Sequence, residues 1–177
     1  MRTLVLAAAL GLSGAAAQAE VTTLPDPIAP AALGQWQCYQ PNTQRKTCSS
    51  LASYRRRPDG SIENIVIILV SRNPTVTMEL SAPIEIKDGQ VCGTMLQSQV
   101  DAAKFAVRGQ TLDQAQIAQL RQRVVTVSEK FFGHESCTAY EDLGLNLIAK
   151  ESMDGKPLDI VLPVIWVRQD EGYEVRP

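Results

Sequence analysis

Arg55-Arg56-Arg57 is the one run of three like charges in the chain, and Arg45-Lys46 stands ten residues before it. Guanidinium groups donate paired hydrogen bonds to planar anions, so this run suits a phosphate, a uronate or a lipid headgroup. It suits equally the edge of a strand, where charge discourages pairing with another molecule. His134 is the single histidine, set between Gly133 and Glu135 with Asp142 downstream. A histidine and carboxylates can pass protons, which makes His134, Glu135 and Asp142 the candidate proton carriers of an enzyme whose site is assembled from dispersed residues. No nucleophile stands at a spacing that pairs it with His134, and the Gly-His-Glu setting reads as a solvated turn. Glu141 and Asp142 are adjacent, and neighbours on a strand point to opposite faces, so they cannot flank one bond as glycosidase acids do.

The four cysteines, Cys38, Cys48, Cys92 and Cys137, carry the clearest chemistry. An even number in an exported chain reads as disulfides. Three pairings are open, and Cys38–Cys48 with Cys92–Cys137 is the favoured one. Pro41-Asn42 gives the 38–48 segment a turn that brings its ends together, and the second bridge closes a loop of about 45 residues. A single histidine and no C-x-x-C disfavour zinc, so no metal and no cofactor is expected. Phosphate-binding, dinucleotide, calcium-loop and G-x-S-x-G signatures are absent. Trp36 and Trp166 could stack on a sugar, but within apolar strands they read as core.

The elements that must position these residues are mostly strands. Trp36–Tyr39, Lys46–Arg57, Ile62–Val70, Val76–Leu80, Ile84–Ile86, Val91–Leu96, Leu143–Ala149, Leu158–Arg168 and Tyr173–Val175 show alternation or buried apolar runs between Gly, Asp and Pro turns. Pro163 implies a bulge or an edge position in its strand. Ile117, Leu120, Val124, Val127 and Phe131 form one helical stripe, opened by a capping box of Thr111 with Gln114 and closed by Gly133. The Gln-rich opposite face reads as solvated. The fold expected is therefore α+β: an antiparallel sheet of about six to eight strands, with one amphipathic helix packed on a face and two disulfides. Residues 59–67 echo 154–162, each an Asp-Gly turn followed by aliphatics. Hairpin chemistry alone produces such a match.

Residues 1–19 have the basic start, the short apolar stretch and the Ala17-Gln18-Ala19 end of a secretory signal peptide cleaved after Ala19. Residues 20–33, with Pro25, Pro27 and Pro30, read as a proline-rich arm, and 34–177 as a single domain. The apolar run Ile65–Val70 is too short to span a membrane, which takes ~20 residues. A formal charge of −2 gives no general attraction to nucleic acid. The expectation is a periplasmic or secreted, non-catalytic module that binds a protein or a cell-envelope component. The alternatives are the periplasmic enzyme above and an anion-binding protein using Arg55, Arg56 and Arg57.

Overall fold

The computed structural model describes residues 26–108, 110, 112–144 and 146–177. The expected signal peptide lies outside these residues, as do Pro25 and Thr111. In chain order the strands are β1 (Gln35–Tyr39), β2 (Thr47–Cys48), β3 (Ser50–Arg56), β4 (Ile62–Arg72), β5 (Thr75–Lys87) and β6 (Gln90–Thr94). A short helix α1 (Gln97–Asp101), β7 (Lys104–Val107) and the long helix α2 (Gln114–Ser128) follow, the last extended by a 3-10 turn at Glu129–Phe131. Then come β8 (Glu135–Asp142), β9 (Leu147–Met153), β10 (Lys156–Arg168) and β11 (Glu174–Val175).

The expected sheet with one helix packed on a face is overturned. Eight antiparallel strands, in the order β4-β3-β1-β10-β9-β8-β6-β5, close into a barrel through the pairing of β5 back onto β4. Two contacts make the closure. β4 and β5 pair from Ile62↔Ile84 to Arg72↔Thr75, and β1 joins β10 from Gln35↔Arg168 to Tyr39↔Val164. A closed barrel leaves no unpaired rim along its wall, the usual liability of an open sheet. Hairpin turns are visible in sequence, whereas the long-range β1–β10 pairing carries no local mark.

Strand lengths also differ from expectation. Val76–Leu80 and Ile84–Ile86 belong to one strand, β5, which runs through Pro83. Proline is tolerated there because the β5 edge away from β4 pairs with β7 only up to Leu80's neighbour Glu79, and with β6 only from Glu85. In β10 the register shift lies between Pro157 and Val161, ahead of Pro163. Pro163 opposes Ile148 on β9, and on its other side β1 has just ended, where the Gln40 N–H donates to the Pro163 carbonyl at 2.8 Å. The two echoed segments both enter hairpins, but β10 carries that shift and the β3–β4 ladder has none.

The long helix covers part of the barrel's inner face, since Met78 and Leu80, on which it packs, share the side of β5 that carries Ile84. Its cap is Asp113, whose carboxylate accepts the Gln116 N–H at 2.8 Å while Gln116 Oε1 accepts the Asp113 N–H at 3.0 Å. This is the chemistry expected of Thr111 and Gln114, displaced by two residues. Val124 is buried against Met78, Leu80 and Val100, with Val125 beside it, whereas Val127 is 69% exposed. The inner face thus keeps the expected stripe apart from Val127, since Ile117, Leu120 and Phe131 are half-buried beside it, and Arg121 borders it with its guanidinium 6.0 Å from the centre of the Phe105 ring.

Alternation along each strand sorts the side chains into a lumen and an outer wall. Ile62, Val91, Tyr140, Leu147, Ala149 and Val164 fill one part of the lumen. Ile28 joins them at 2% exposure, and Pro27 is buried beside it. Of the expected arm, then, residues 26–33 are seated on the domain, with Ala29–Leu33 forming a 3-10 turn directly after Ile28. Outside the wall, Cys38, Cys48, Leu51 and Val167 form a separate cluster covered by Tyr173 and Val175, where β11 pairs in parallel with β2.

Candidate functional site

Because Gln37 points into the barrel, Trp36 must point out of it, and it borders two adjoining hollows. The larger, of about 340 Å³, is lined by Trp36, Ser53, Arg55, Ile65, Ile67 and Gln169. The smaller, of about 230 Å³, shares Trp36 and Gln169 and adds Leu51, Val167, Arg168 and Tyr173. Together they make a groove with an aromatic ring at its centre, aliphatic side chains along its floor and guanidinium groups beside it. The apolar run Ile65–Val70 explains the floor: β4 carries aliphatic residues on both faces, and one face is spent on the lumen.

The arginine run is divided by the same alternation. Arg55 and Arg57 lie on the outer side, where both approach Glu63 Oε2, at 3.9 and 3.2 Å. The Ser81 hydroxyl donates to the other oxygen of Glu63 at 2.7 Å, and this bond, with Arg57, holds the Glu63 carboxyl below the usual carboxylate range. Arg56 turns to the opposite side and pairs with Asp26 at 2.8 Å. The structure therefore brings Arg55 and Arg57 together and separates Arg56 from them.

A third hollow, of about 480 Å³, lies over the Cys92–Cys137 disulfide, with Lys87, Glu135, Lys150, Ser152 and Pro157 around it. Lys87 bridges Glu135 at 2.5 Å and Glu85 at 3.3 Å, and Lys150 is paired with Glu141. His134 Nδ1 meets Asp154 Oδ2 at 2.6 Å, and the other oxygen of Asp154 accepts the Glu135 N–H at 3.1 Å. The bond to His134 holds the Asp154 carboxyl low. Asp142 closes the far end of β8, where it accepts the Gly144 N–H at 2.7 Å. At ~3.3 Å per strand residue it is about 23 Å from Glu135, so the three candidate proton carriers do not converge.

Both disulfides join the cysteines in the favoured pairing, Cys38–Cys48 and Cys92–Cys137. Among the described residues, no group of three or more His, Cys, Asp or Glu is placed to hold a metal ion. Nor is any helix long and apolar enough to cross a membrane.

Sequence reasoning missed a polar cluster in the lumen. Gln37 is fully buried, and Tyr54 donates to its Oε1 at 2.6 Å. The Tyr39 and Tyr140 hydroxyls each lie 3.1 Å from the same oxygen, and 2.5 Å from one another. Three hydroxyl protons serve these four contacts, so Tyr39 and Tyr140 share one proton between them while the other two reach Gln37. Burial pushes all three phenols well above their ordinary value. Gln37 Nε2 has no partner among the described residues. Nearby, Glu151 accepts from Thr138 at 3.1 Å, and burial raises its carboxyl. The signal for the cluster was present in Gln37 and Tyr39, which alternate with Trp36 and Cys38 and so share a face. The chain matches no known family model, no curated protein and no solved structure.

Proposed function

We propose that this protein is an exported, non-catalytic module that binds a protein partner of the cell envelope through the Trp36 groove. The observation that carries the reading is the setting of Trp36. It is half-buried on the outer wall, where it packs on the cluster of Cys38, Cys48, Leu51 and Val167 and borders both hollows beside Arg55, Tyr173, Ile65 and Ile67. Tryptophan, tyrosine and arginine are the residue types that dominate binding energy at protein interfaces, because they bury large area and retain a polar handle. The dispersal of His134, Glu135 and Asp142 supports a binding role over proton-transfer chemistry. The two disulfides are compatible with an oxidising compartment, as export requires.

The test is affinity capture of envelope proteins by the exported chain, followed by quantitative binding of whatever single partner is recovered. Trp36→Ala and Arg55→Ala should each weaken that partner by at least ~10-fold, as loss of a hot-spot side chain does. Lys150→Ala, at the separate hollow over Cys92–Cys137, should bind as wild type does. Equal binding by all three variants would remove the groove from consideration. Turnover of a hydrolase substrate that is lost in His134→Ala would overturn the non-catalytic reading.

A further inference from the structure

The two disulfides occupy opposite environments. Cys38 and Cys48 are both sealed, packed with Leu51 and Val167 beneath Tyr173 and Val175. Cys92 is equally buried, but Cys137 keeps accessible surface on β8. β6 and β8 hold this second pair at directly opposed positions, so the bridge lies flat across two neighbouring strands. It also borders the 480 Å³ hollow, the most spacious of those described above. Lys87, Lys150, Glu135 and Glu151 line the same hollow, with Lys87 paired to Glu85 and Glu135 and Lys150 to Glu141.

The geometry points to Cys92–Cys137 as a thiol–disulfide exchange site for a dithiol that enters through this hollow, with Cys38–Cys48 remaining a structural bridge. Exposed disulfides are the exchangeable ones. A thiolate of the dithiol attacks Cys137 Sγ, the accessible member. A mixed disulfide forms, the Cys92–Cys137 bond breaks, and its electron pair leaves on Cys92 as a thiolate. The second thiol then gives up its proton and attacks the dithiol's own sulfur in the mixed disulfide, which releases Cys137 as a thiolate. Two electrons pass to the cysteine pair and the dithiol becomes a disulfide. The two protons it has lost end on Cys92 and Cys137.

The experiment is timed reduction of the folded, oxidised chain, with alkylation of new thiols and peptide mapping. Far-UV circular dichroism is recorded in parallel. Two reductants are compared, dithiothreitol and a reduced C-x-x-C protein, to separate a small dithiol from a protein one. Cys92 and Cys137 should be alkylated at least ~10-fold faster than Cys38 and Cys48, the difference expected between an accessible and a buried bridge. Exchange with dithiothreitol alone identifies a small dithiol as the co-reactant, and exchange with both admits a protein. Equal rates for the two bridges would overturn the proposal. So would earlier reduction of Cys38–Cys48, or a Cys92–Cys137 bridge that opens only when the circular dichroism signal is lost. None of these outcomes bears on Trp36.

Discussion

The Tyr39 and Tyr140 hydroxyls lie 2.5 Å apart although 101 residues separate them in the chain, and both abut the buried amide oxygen of Gln37. Replacing the acceptor should therefore cost more than removing one donor. Gln37→Leu strands several hydroxyls in the lumen and should destabilise by ~3 kcal/mol, whereas Tyr140→Phe removes one hydroxyl and should cost ~1 kcal/mol. Urea unfolding of the two variants measures the difference. A neutral Gln37→Leu would mean that the hydroxyls find other partners.

The same three phenols make stability sensitive to alkali. Their folded pKa values are raised by burial, so the neutral form is favoured and no stability is lost to them below the unfolded value of ~10. Above that pH the unfolded state gives up protons that the folded state keeps, and stability falls. Absorbance at 295 nm during an alkaline titration should show Tyr39, Tyr54 and Tyr140 ionising together with loss of structure. Three smooth ionisations in a chain that stays folded would contradict this.

Ile28 is an anchor that the expected arm was not assigned. With 2% exposure in the lumen cluster, Ile28→Ala should cost ~2–4 kcal/mol, as large-to-small core changes do. Leu33, 78% exposed five residues later, should tolerate alanine. Thermal melts of the pair decide whether residues 26–33 belong to the folded unit.

The two disulfides should differ in what they contribute. Cys92–Cys137 spans 45 residues and Cys38–Cys48 spans 10, so loop entropy alone favours the longer bridge by ~1 kcal/mol. Cys92→Ala/Cys137→Ala should then melt below Cys38→Ala/Cys48→Ala. The reverse order would show that packing around Cys38 and Cys48, against Leu51 and Val167, outweighs the loop term.

What was legible in the sequence was local. Pro58-Asp59-Gly60, Lys87-Asp88-Gly89 and Asp154-Gly155 marked turns because their backbone geometry demands those residue types, and the positive φ of Asp88, Gly89, Asp154 and Gly155 bears that out. The cysteine pairing followed from a short loop with a turn in it. Closure was not legible, because Gln35 and Arg168 announce nothing about each other. The helix was found, but its inner face was misjudged at Val127. Ile117, Leu120, Val124 and Phe131 are covered as periodicity expects, while contact with the barrel extends to Val125 on the flank of Val124 away from Val127. For the site, the type and crowding of Arg55–Arg57 were plain, but alternation sends Arg56 away from its neighbours.

The pairing of β1 with β10 sets a timetable for folding. A strand near the front of the domain waits for a partner synthesised almost last, so the barrel cannot shut until Arg168 is available. Non-local pairings of this kind slow the search for the native state. Until then β1 can pair with β3 but presents its other edge unpaired, a template on which a second nascent chain could add a strand. That unpaired edge is where association with another chain competes with closure.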